Sequence, residues 1–254
     1  MEVVSYKKMS GNVYKVTLDN GEEYKLYDEL ILKYELLIDR RLDEKKLEKI
    51  LEENHGLEAY FKALKYIGLK MRTELEVRRY LKKYEFSAQV ISQTIRKFKL
   101  GGYLDERKYA KAFVNDAVNL GMKGPKKIGE QLTKLGIEEK ISKEFLSRID
   151  RQVWLDKIEK LIYKKSKTNR VGEALFKSKV YSDLLVGGYH SEDIKCVLEN
   201  YSLDDKEAFM KEANKVYNKL CIKFVGTELK LKFKAKMYSK GFDGEAISEF
   251  LDGK

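Results

Sequence analysis

Residues 105–149 read DERKYAKAFVNDAVNLGMKGPKKIGEQLTKLGIEEKISKEFLSRI, and this stretch defines the unit from which the rest of the chain is built. Tyr109, Phe113, Ala117 and Leu120 recur every three or four residues, the spacing of one face of an α-helix. Gly121 and Gly124 break that period, and the only proline of the chain, Pro125, follows them. Proline suits the first position of a helix, where its missing N–H costs nothing. The helix it opens is expected to turn Ile128, Leu132 and Leu135 inward and to stop at Gly136, a residue suited to the left-handed conformation that closes helices. A third helix carries Ile141, Phe145 and Leu146 as its apolar side.

The unit recurs. A helix that ends in a small or polar residue, one large apolar anchor and a short helix appear at Lys83-Tyr84-Glu85-Phe86, Lys134-Leu135-Gly136-Ile137, Gly187-Gly188-Tyr189 and Lys240-Gly241-Phe242. The anchors Phe86, Ile137, Tyr189 and Phe242 are spaced by 51, 52 and 53 residues. Apolar residues follow them at nearly fixed offsets: Val90, Ile91 and Ile95; Ile141, Phe145 and Leu146; Ile194, Val197 and Leu198; Ile247, Phe250 and Leu251. A steady period with one buried face per unit is the mark of a repeat architecture. The expected fold is mainly α: about four tandem three-helix repeats in an elongated curved array, at residues 57–104, 105–150, 151–202 and 203–254.

Residues 1–56 read differently. Tyr14, Val16 and Leu18 alternate with Val13, Lys15 and Thr17, and Asp19-Asn20-Gly21 is a strong tight-turn signal before Glu23–Leu26 resumes the alternation. A small β-hairpin is expected, with residues 2–7 as a third strand. One or two short helices follow (Leu30, Ile31 and Tyr34; Leu47, Ile50 and Leu51), and Asn54-His55-Gly56 reads as a break. In the first repeat, Leu57, Phe61, Leu64 and Ile67 lie along an opening helix. Thr73-Glu74-Leu75-Glu76 is a capping box. Its helix buries Leu75, Val77 and Leu81 and presents Arg78, Arg79, Lys82 and Lys83, and Ser87 can cap the next helix, which ends in Arg96, Lys97 and Lys99. The third repeat opens with Val153, Trp154, Ile158, Leu161 and Ile162, and then carries Val171, Leu175, Leu184 and Leu185. The fourth opens with Asp204 and Glu207 as a further cap, then Phe209, Ala213, Val216 and Leu220. Lys230, Lys232, Lys234 and Lys236 alternate like a strand, but Leu229, Phe233 and Met237 fit a helix and the repeat better.

Charge and composition narrow the function. Charged residues make up 37% and aromatics 11%, which predicts a soluble, folded chain. No run of eighteen apolar residues is present, and the start MEVVSYKK has no apolar signal core, so a cytoplasmic protein without a membrane span is expected. Residues 1–58 carry a net charge of −4, residues 59–150 of +10 and residues 151–254 of +5. The positive field of the first two repeats would attract a polyanion or an acidic protein surface. Cations near helix ends also offset the helix dipole, but that accounts for one or two of them, not the cluster. The bland reading is a solvated surface.

No phosphate loop, nucleophile elbow, HExxH motif or cysteine pair with metal spacing occurs, so neither an enzyme nor a cofactor or metal is expected. Cys196 and Cys221 read as buried structural thiols, and His55 and His190 as ordinary surface residues.

Gly102-Tyr103-Leu104-Asp105-Glu106-Arg107-Lys108-Tyr109-Ala110, then Ala112-Phe113-Val114, then Lys123-Gly124-Pro125-Lys126-Lys127-Ile128 with Leu132 and Gly136-Ile137, resembles the RecX regulatory family. Ala63-Leu64, Thr73-Glu74-Leu75-Glu76-Val77 and Leu81-Lys82-Lys83 resemble that family's first repeat. The resemblance covers residues 59–150 closely, and the last hundred residues only as degenerate repeats. The N-terminal hairpin is similar to the leader of longer Gram-positive members, and Glu85 stands where the family usually has glycine. The resemblance implies a modulator of the RecA recombinase, one that binds RecA and its single-stranded DNA filament and inhibits filament extension, ATP hydrolysis, strand exchange and coprotease activity in recombination, DNA repair and the SOS response. On that reading Arg78, Arg79, Lys82, Lys83, Arg96, Lys97, Lys123, Lys126, Lys127 and Lys134 carry the RecA and DNA contacts, and a monomer is the simplest state. A stand-alone helical protein binding single- or double-stranded DNA through the same residues is the alternative. Against it, Tyr109 and Phe113 fall on the expected core face and form no stacking platform.

Overall fold

The computed structural model describes residues 1–254 and divides into two compact units, Met1–Tyr109 and Ala110–Lys254. The first unit opens with an antiparallel three-stranded sheet in the order β1 (Val3–Lys8), β2 (Val13–Leu18) and β3 (Glu23–Tyr27). Val16 pairs with Tyr6 on one side and Tyr24 on the other. As the alternation predicts, Val16, Leu18 and Leu26 are buried, and they share a core with Leu30 and Ile31 of α1 (Asp28–Lys33) and with Leu47 and Ile50 of α2 (Glu44–Gly68).

α2 corrects the expected break at Asn54-His55-Gly56, since the helix runs unbroken through all three. A helical glycine costs only about 1 kcal/mol against alanine. α2 recovers that by packing at both ends, with Leu47 and Ile50 on the sheet and Ala59 and Ala63 in the core of the next helices. In the second half of α2 the residues buried most deeply are the alanines. Leu57, Phe61, Leu64 and Ile67 flank them half-buried. Two shorter helices complete this core, α3 (Glu74–Lys82) with Val77 and Leu81, and α4 (Ala88–Leu100) with Ile91, Ile95 and Phe98.

The second unit continues in threes: α5 (Glu106–Leu120, its first turn in the first unit), α6 (Pro125–Lys134) and α7 (Glu139–Ser147); α8 (Arg151–Ser166), α9 (Glu173–Val186) and α10 (Ser191–Glu199); α11 (Lys206–Leu220), α12 (Gly226–Tyr238) and α13 (Gly244–Asp252). Pro125 is the first residue of α6, as expected. The lysine-rich run is helical, with Leu229, Phe233 and Met237 buried as its inward stripe.

Other expectations are corrected. The buried stripe of α5 is Ala110, Val114 and Val118, so Tyr109, Phe113 and Ala117 are half-buried and Leu120 is exposed. In α9 the stripe is Phe176, Val180 and Leu184, which leaves Leu185 exposed. Asp204 and Glu207 form no capping box: α11 starts at Lys206, and Glu207 pairs with Lys211 at 2.5 Å. Cys196 and Cys221 are both exposed, one on the outer side of α10 and one just past the end of α11.

One device repeats through the chain. The residues before the four buried anchors, Glu85, Gly136, Gly188 and Gly241, all have positive φ, between 51 and 53 residues apart. At three of them the amide of the following anchor closes on a carbonyl one turn back: Ile137 to Leu132 at 3.0 Å, Tyr189 to Leu184 at 3.1 Å and Phe242 to Met237 at 3.4 Å. This is a Schellman closure, which feeds each anchor into the core beside the helix it ends. Glu85 (φ 61°) is the one member with a side chain, and it is exposed. A left-handed residue with a Cβ carries strain, so Glu85→Gly is expected to stabilise the chain by roughly 0.5–1 kcal/mol, net of the freedom glycine adds to the unfolded state. Urea unfolding of the two chains measures the difference.

In the second unit these turns also join successive helix triplets. The α6 N-cap, Gly124, donates to the carbonyl of Gly187 at 2.9 Å, and Lys126 donates to that of Gly188 at 3.0 Å. The α9 N-cap, Gly172, donates to the carbonyl of Lys240 at 2.9 Å. Neither N-cap has a side-chain cap, whereas Thr73 caps α3 within its own triplet through a complete capping box. The amides of Gly124, Lys126 and Gly172 at the starts of α6 and α9, orphans in any isolated helix, are therefore answered by the following triplet's turn. Backbone comes this close only without side chains. A Cβ on Gly188 would stand 2.5 Å from the Lys127 amide nitrogen, and one on Gly241 would stand 2.6 Å from the Leu175 Cβ.

Candidate partner-binding site

The basic residues singled out by sequence fall into two groups, one in each unit. In the first unit, burial of Val77 and Leu81 leaves the remaining sides of α3 to Arg78, Arg79, Lys82 and Lys83. Burial of Ile91, Thr94, Ile95 and Phe98 likewise turns Arg96 and Lys97 of α4 outward. Arg78 is partly engaged: its Nε donates to Glu74 at 2.7 Å and its Nη1 to the Ser92 hydroxyl at 3.3 Å. Lys97 lies 5.9 Å from the centre of the Tyr60 ring. Arg79, Lys82, Lys83 and Arg96 are exposed and make no ion pair.

The start of α3 is held by electrostatics. Thr73 accepts from the Glu76 amide at 3.2 Å while the Glu76 carboxylate takes the Thr73 amide at 2.9 Å. Glu74 binds both Arg78 and Lys99. Burial alone would raise the Glu74 carboxyl, but hydrogen bonds from Lys99 and Arg78 outweigh it and hold the pKa below its usual value. Because the folded value lies below the unfolded one, this stabilisation is complete above the unfolded pKa of about 4.3 and is lost as pH falls through the folded value. Urea unfolding between pH 7 and pH 3 is expected to show a smaller acid loss of stability for Glu74→Gln than for the parent chain.

In the second unit, Lys123 precedes α6, Lys126 and Lys127 sit in its first turn, and Lys134 ends it. Buried Pro125, Ile128 and Leu132 set the orientation of the helix, and Lys123, Lys126 and Lys134 are exposed without an ion pair. Lys127 pairs with Glu130 at 3.2 Å. Arg151 and Asp193 pair nearby at 2.7 Å, with Asp193 largely buried.

Sequence reading missed an aromatic run beside the first group. Tyr66 and Tyr80 stack at 4.0 Å with their planes 1° apart, and Tyr84 meets Tyr80 edge-on at 5.1 Å. Arg72 lies 4.0 Å from the centre of the Tyr66 ring and Lys62 lies 3.9 Å from that of Tyr84. The signal available was the four-residue spacing of Tyr80 and Tyr84 on a basic helix. His55 packs on Phe86 at 4.8 Å, His190 is the N-cap residue of α10, and no group of three or more His, Cys, Asp or Glu is arranged to hold a metal. No helix is long and apolar enough to cross a membrane.

Comparison with known proteins converges on one family. The family model described as the first three-helix domain of RecX matches residues 59–98, which hold the end of α2 with α3 and α4. Over its length the chain is similar to Regulatory protein RecX of Bacillus cytotoxicus, with 29% identity over 262 aligned residues that cover 100% of this chain and 96% of that protein. It is similar to the protein of the same name in Streptococcus agalactiae, 28% identical over 258 residues, covering 99% and 98%. Among solved structures, a crystal structure of regulatory protein RecX superposes with a TM-score of 0.69 at 22% identity, covering 79% of this chain and 99% of that one. RecX from Lactobacillus salivarius gives 0.55 at 24% identity, covering 58% and 97%. Those two likenesses concern the fold. The matched three-helix domain and the full-length similarity to the Bacillus and Streptococcus regulators agree on the RecX regulatory family as the one this chain resembles.

Proposed function

We propose that this chain binds the RecA recombinase and its filament on single-stranded DNA, and that it inhibits filament extension, ATP hydrolysis, strand exchange and coprotease activity in recombination, DNA repair and the SOS response. The observation that carries the reading is charge left unanswered. Of the ten basic residues on α3, α4 and α6 and beside them, only Arg78 and Lys127 make an ion pair. Arg79, Lys82, Lys83, Arg96, Lys97, Lys123, Lys126 and Lys134 are the remaining contacts for filament-bound DNA or an acidic recombinase surface. Exposed cations without partners gain little for the fold itself and are available to an external polyanion. On this reading residues 57–104, 105–150, 151–202 and 203–254 act as four repeats, with α2 bridging from the segment before them. The protein is then a cytoplasmic monomer without catalytic activity.

The test is DNA-dependent ATP hydrolysis by the cognate recombinase on single-stranded DNA, with this protein titrated in. A fall in rate at substoichiometric ratios is expected, because one molecule on a filament silences many subunits. No effect at any ratio overturns the proposal. The Tyr66, Tyr80 and Tyr84 run supports one second reading, a stand-alone DNA-binding protein that stacks bases beside cations. In that case inhibition begins only as the DNA itself becomes saturated.

A further inference from the structure

A groove in the second unit, with a cavity volume of about 930 Å³, lies between α6, α7 and the first turns of α8 and α10. Its walls are mostly apolar, with Leu146, Ile149 and Trp154 among them. Trp154 is 5% exposed, so it forms floor, not rim. The α6 face turned to the groove is the stripe Lys126, Gly129, Glu130, Thr133 and Lys134, on the other side from buried Ile128 and Leu132.

Two features indicate what the groove takes. The first is Gly129, in the middle of a helix, where glycine costs about 1 kcal/mol against alanine. No crowding requires it. A Cβ there would meet only the Leu146 Cδ1, at 3.6 Å, and Gly129 is not among the glycines with positive φ. The missing side chain keeps the groove open. The second feature is charge. Within the lining, Arg151 is paired with Asp193 at 2.7 Å, Lys143 with Glu139 at 2.7 Å, and Glu130 with Lys127 at 3.2 Å. Lys126 and Lys134, at the two ends of α6, have no carboxylate partner. Eight residues of helix separate them by about 12 Å, the span of a short extended peptide. An apolar trough flanked by two unanswered cations complements an acidic segment that carries one large apolar side chain.

We propose that this groove is a docking site for an acidic segment of a protein partner, its apolar side chain seated over Gly129, Leu146 and Trp154 and its carboxylates held by Lys126 and Lys134. The inference rests on the reading of the chain as a regulator that binds a protein. Its test uses the isolated chain and no recombinase, so either proposal can fail while the other stands.

The probe is a displayed library of random twelve-residue peptides, selected on the full-length protein. Synthetic copies of the enriched peptides are then titrated while the emission of Trp154, the only tryptophan, is followed. Acidic peptides with a large apolar residue are expected to enrich and to shift that emission. Lys126→Glu with Lys134→Glu should weaken them at least tenfold. Gly129→Met, which fills the trough, should abolish the signal, while Gly129→Ala should bind peptide and unfold later in urea. If Gly129→Met fails to fold, Leu146→Trp fills the trough from the other wall and serves in its place. Failure to enrich any acidic apolar peptide overturns the proposal. So does unchanged affinity in a folded groove-filling variant, or a Trp154 response to a thirty-nucleotide oligothymidine alone.

Discussion

Gly172→Ala is expected to cost about 3–4 kcal/mol, the sum of a forced backbone displacement and a lost hydrogen bond. The added methyl would fall on the carbonyl group of Gly241 and the amide of Phe242, neither of which can rotate away as a side chain could. Relief requires α9 and the turn after α12 to separate, and separation breaks the bond from the Gly172 amide to the Lys240 carbonyl. The Glu173 amide, which donates to Asp205 at 3.0 Å, is the next to go. Hydrogen exchange locates the damage: protection is expected to fall first in α11 to α13 and in the first turn of α9, with α2 to α4 unaffected. Gly129→Ala is the control, because it changes the same residue types inside a helix with room for the methyl. Equal effects of the two substitutions would mean that the interlock does not hold the triplets together.

Reversing Lys123, Lys126 and Lys127 to glutamate together is expected to weaken binding to the recombinase filament at least tenfold and to leave the fold intact. All three side chains point away from the core of α6, and only Lys127 gives up an ion pair, an exposed one worth less than about 1 kcal/mol. If these lysines neutralise phosphates of single-stranded DNA, the slope of log affinity against log salt should flatten by about 0.7 for each phosphate left without its lysine, up to roughly 2.1 in all. A protein–protein interface would change the slope less and the dissociation rate more. Affinity measured from 50 to 300 mM salt separates these outcomes. Unchanged affinity in a chain with parental circular dichroism removes α6 from the binding surface.

Much of this fold is legible from residue types whose physics is local. Thr73 and Glu76 can satisfy two orphan amides wherever they occur, and Pro125 can open a helix in any context, so both features are where the sequence puts them. The period of the anchors is equally legible, because each follows a residue of positive φ that ends a helix, three of them with the same closure. What escaped depends on distant partners. Asn54-His55-Gly56 looks like a break to any local reading, and only the two cores gripping α2 keep it helical. Ala59, Ala63 and Ala110 are fully buried, yet a search for large apolar residues passes over them and rotates the inferred face of α5. At the candidate site, the sequence identifies the basic residues and their helices. It does not reveal that Arg78 is engaged by Glu74 and Ser92, or that Tyr66 stacks on Tyr80.

The interlocking glycines also set an order of events at the ribosome. The chain emerges from its N-terminal end, so α9 leaves the exit tunnel with its opening amides exposed; that of Glu173 waits for Asp205, and that of Gly172 until the turn at Lys240 has been translated. α6 waits in the same way for Gly187 and Gly188. α3, capped by its own Thr73, waits for nothing. Maturation should therefore trail translation by one triplet, each newly made segment finishing the one before it, and a stalled nascent chain should be most open to proteases at its most recently made middle helix.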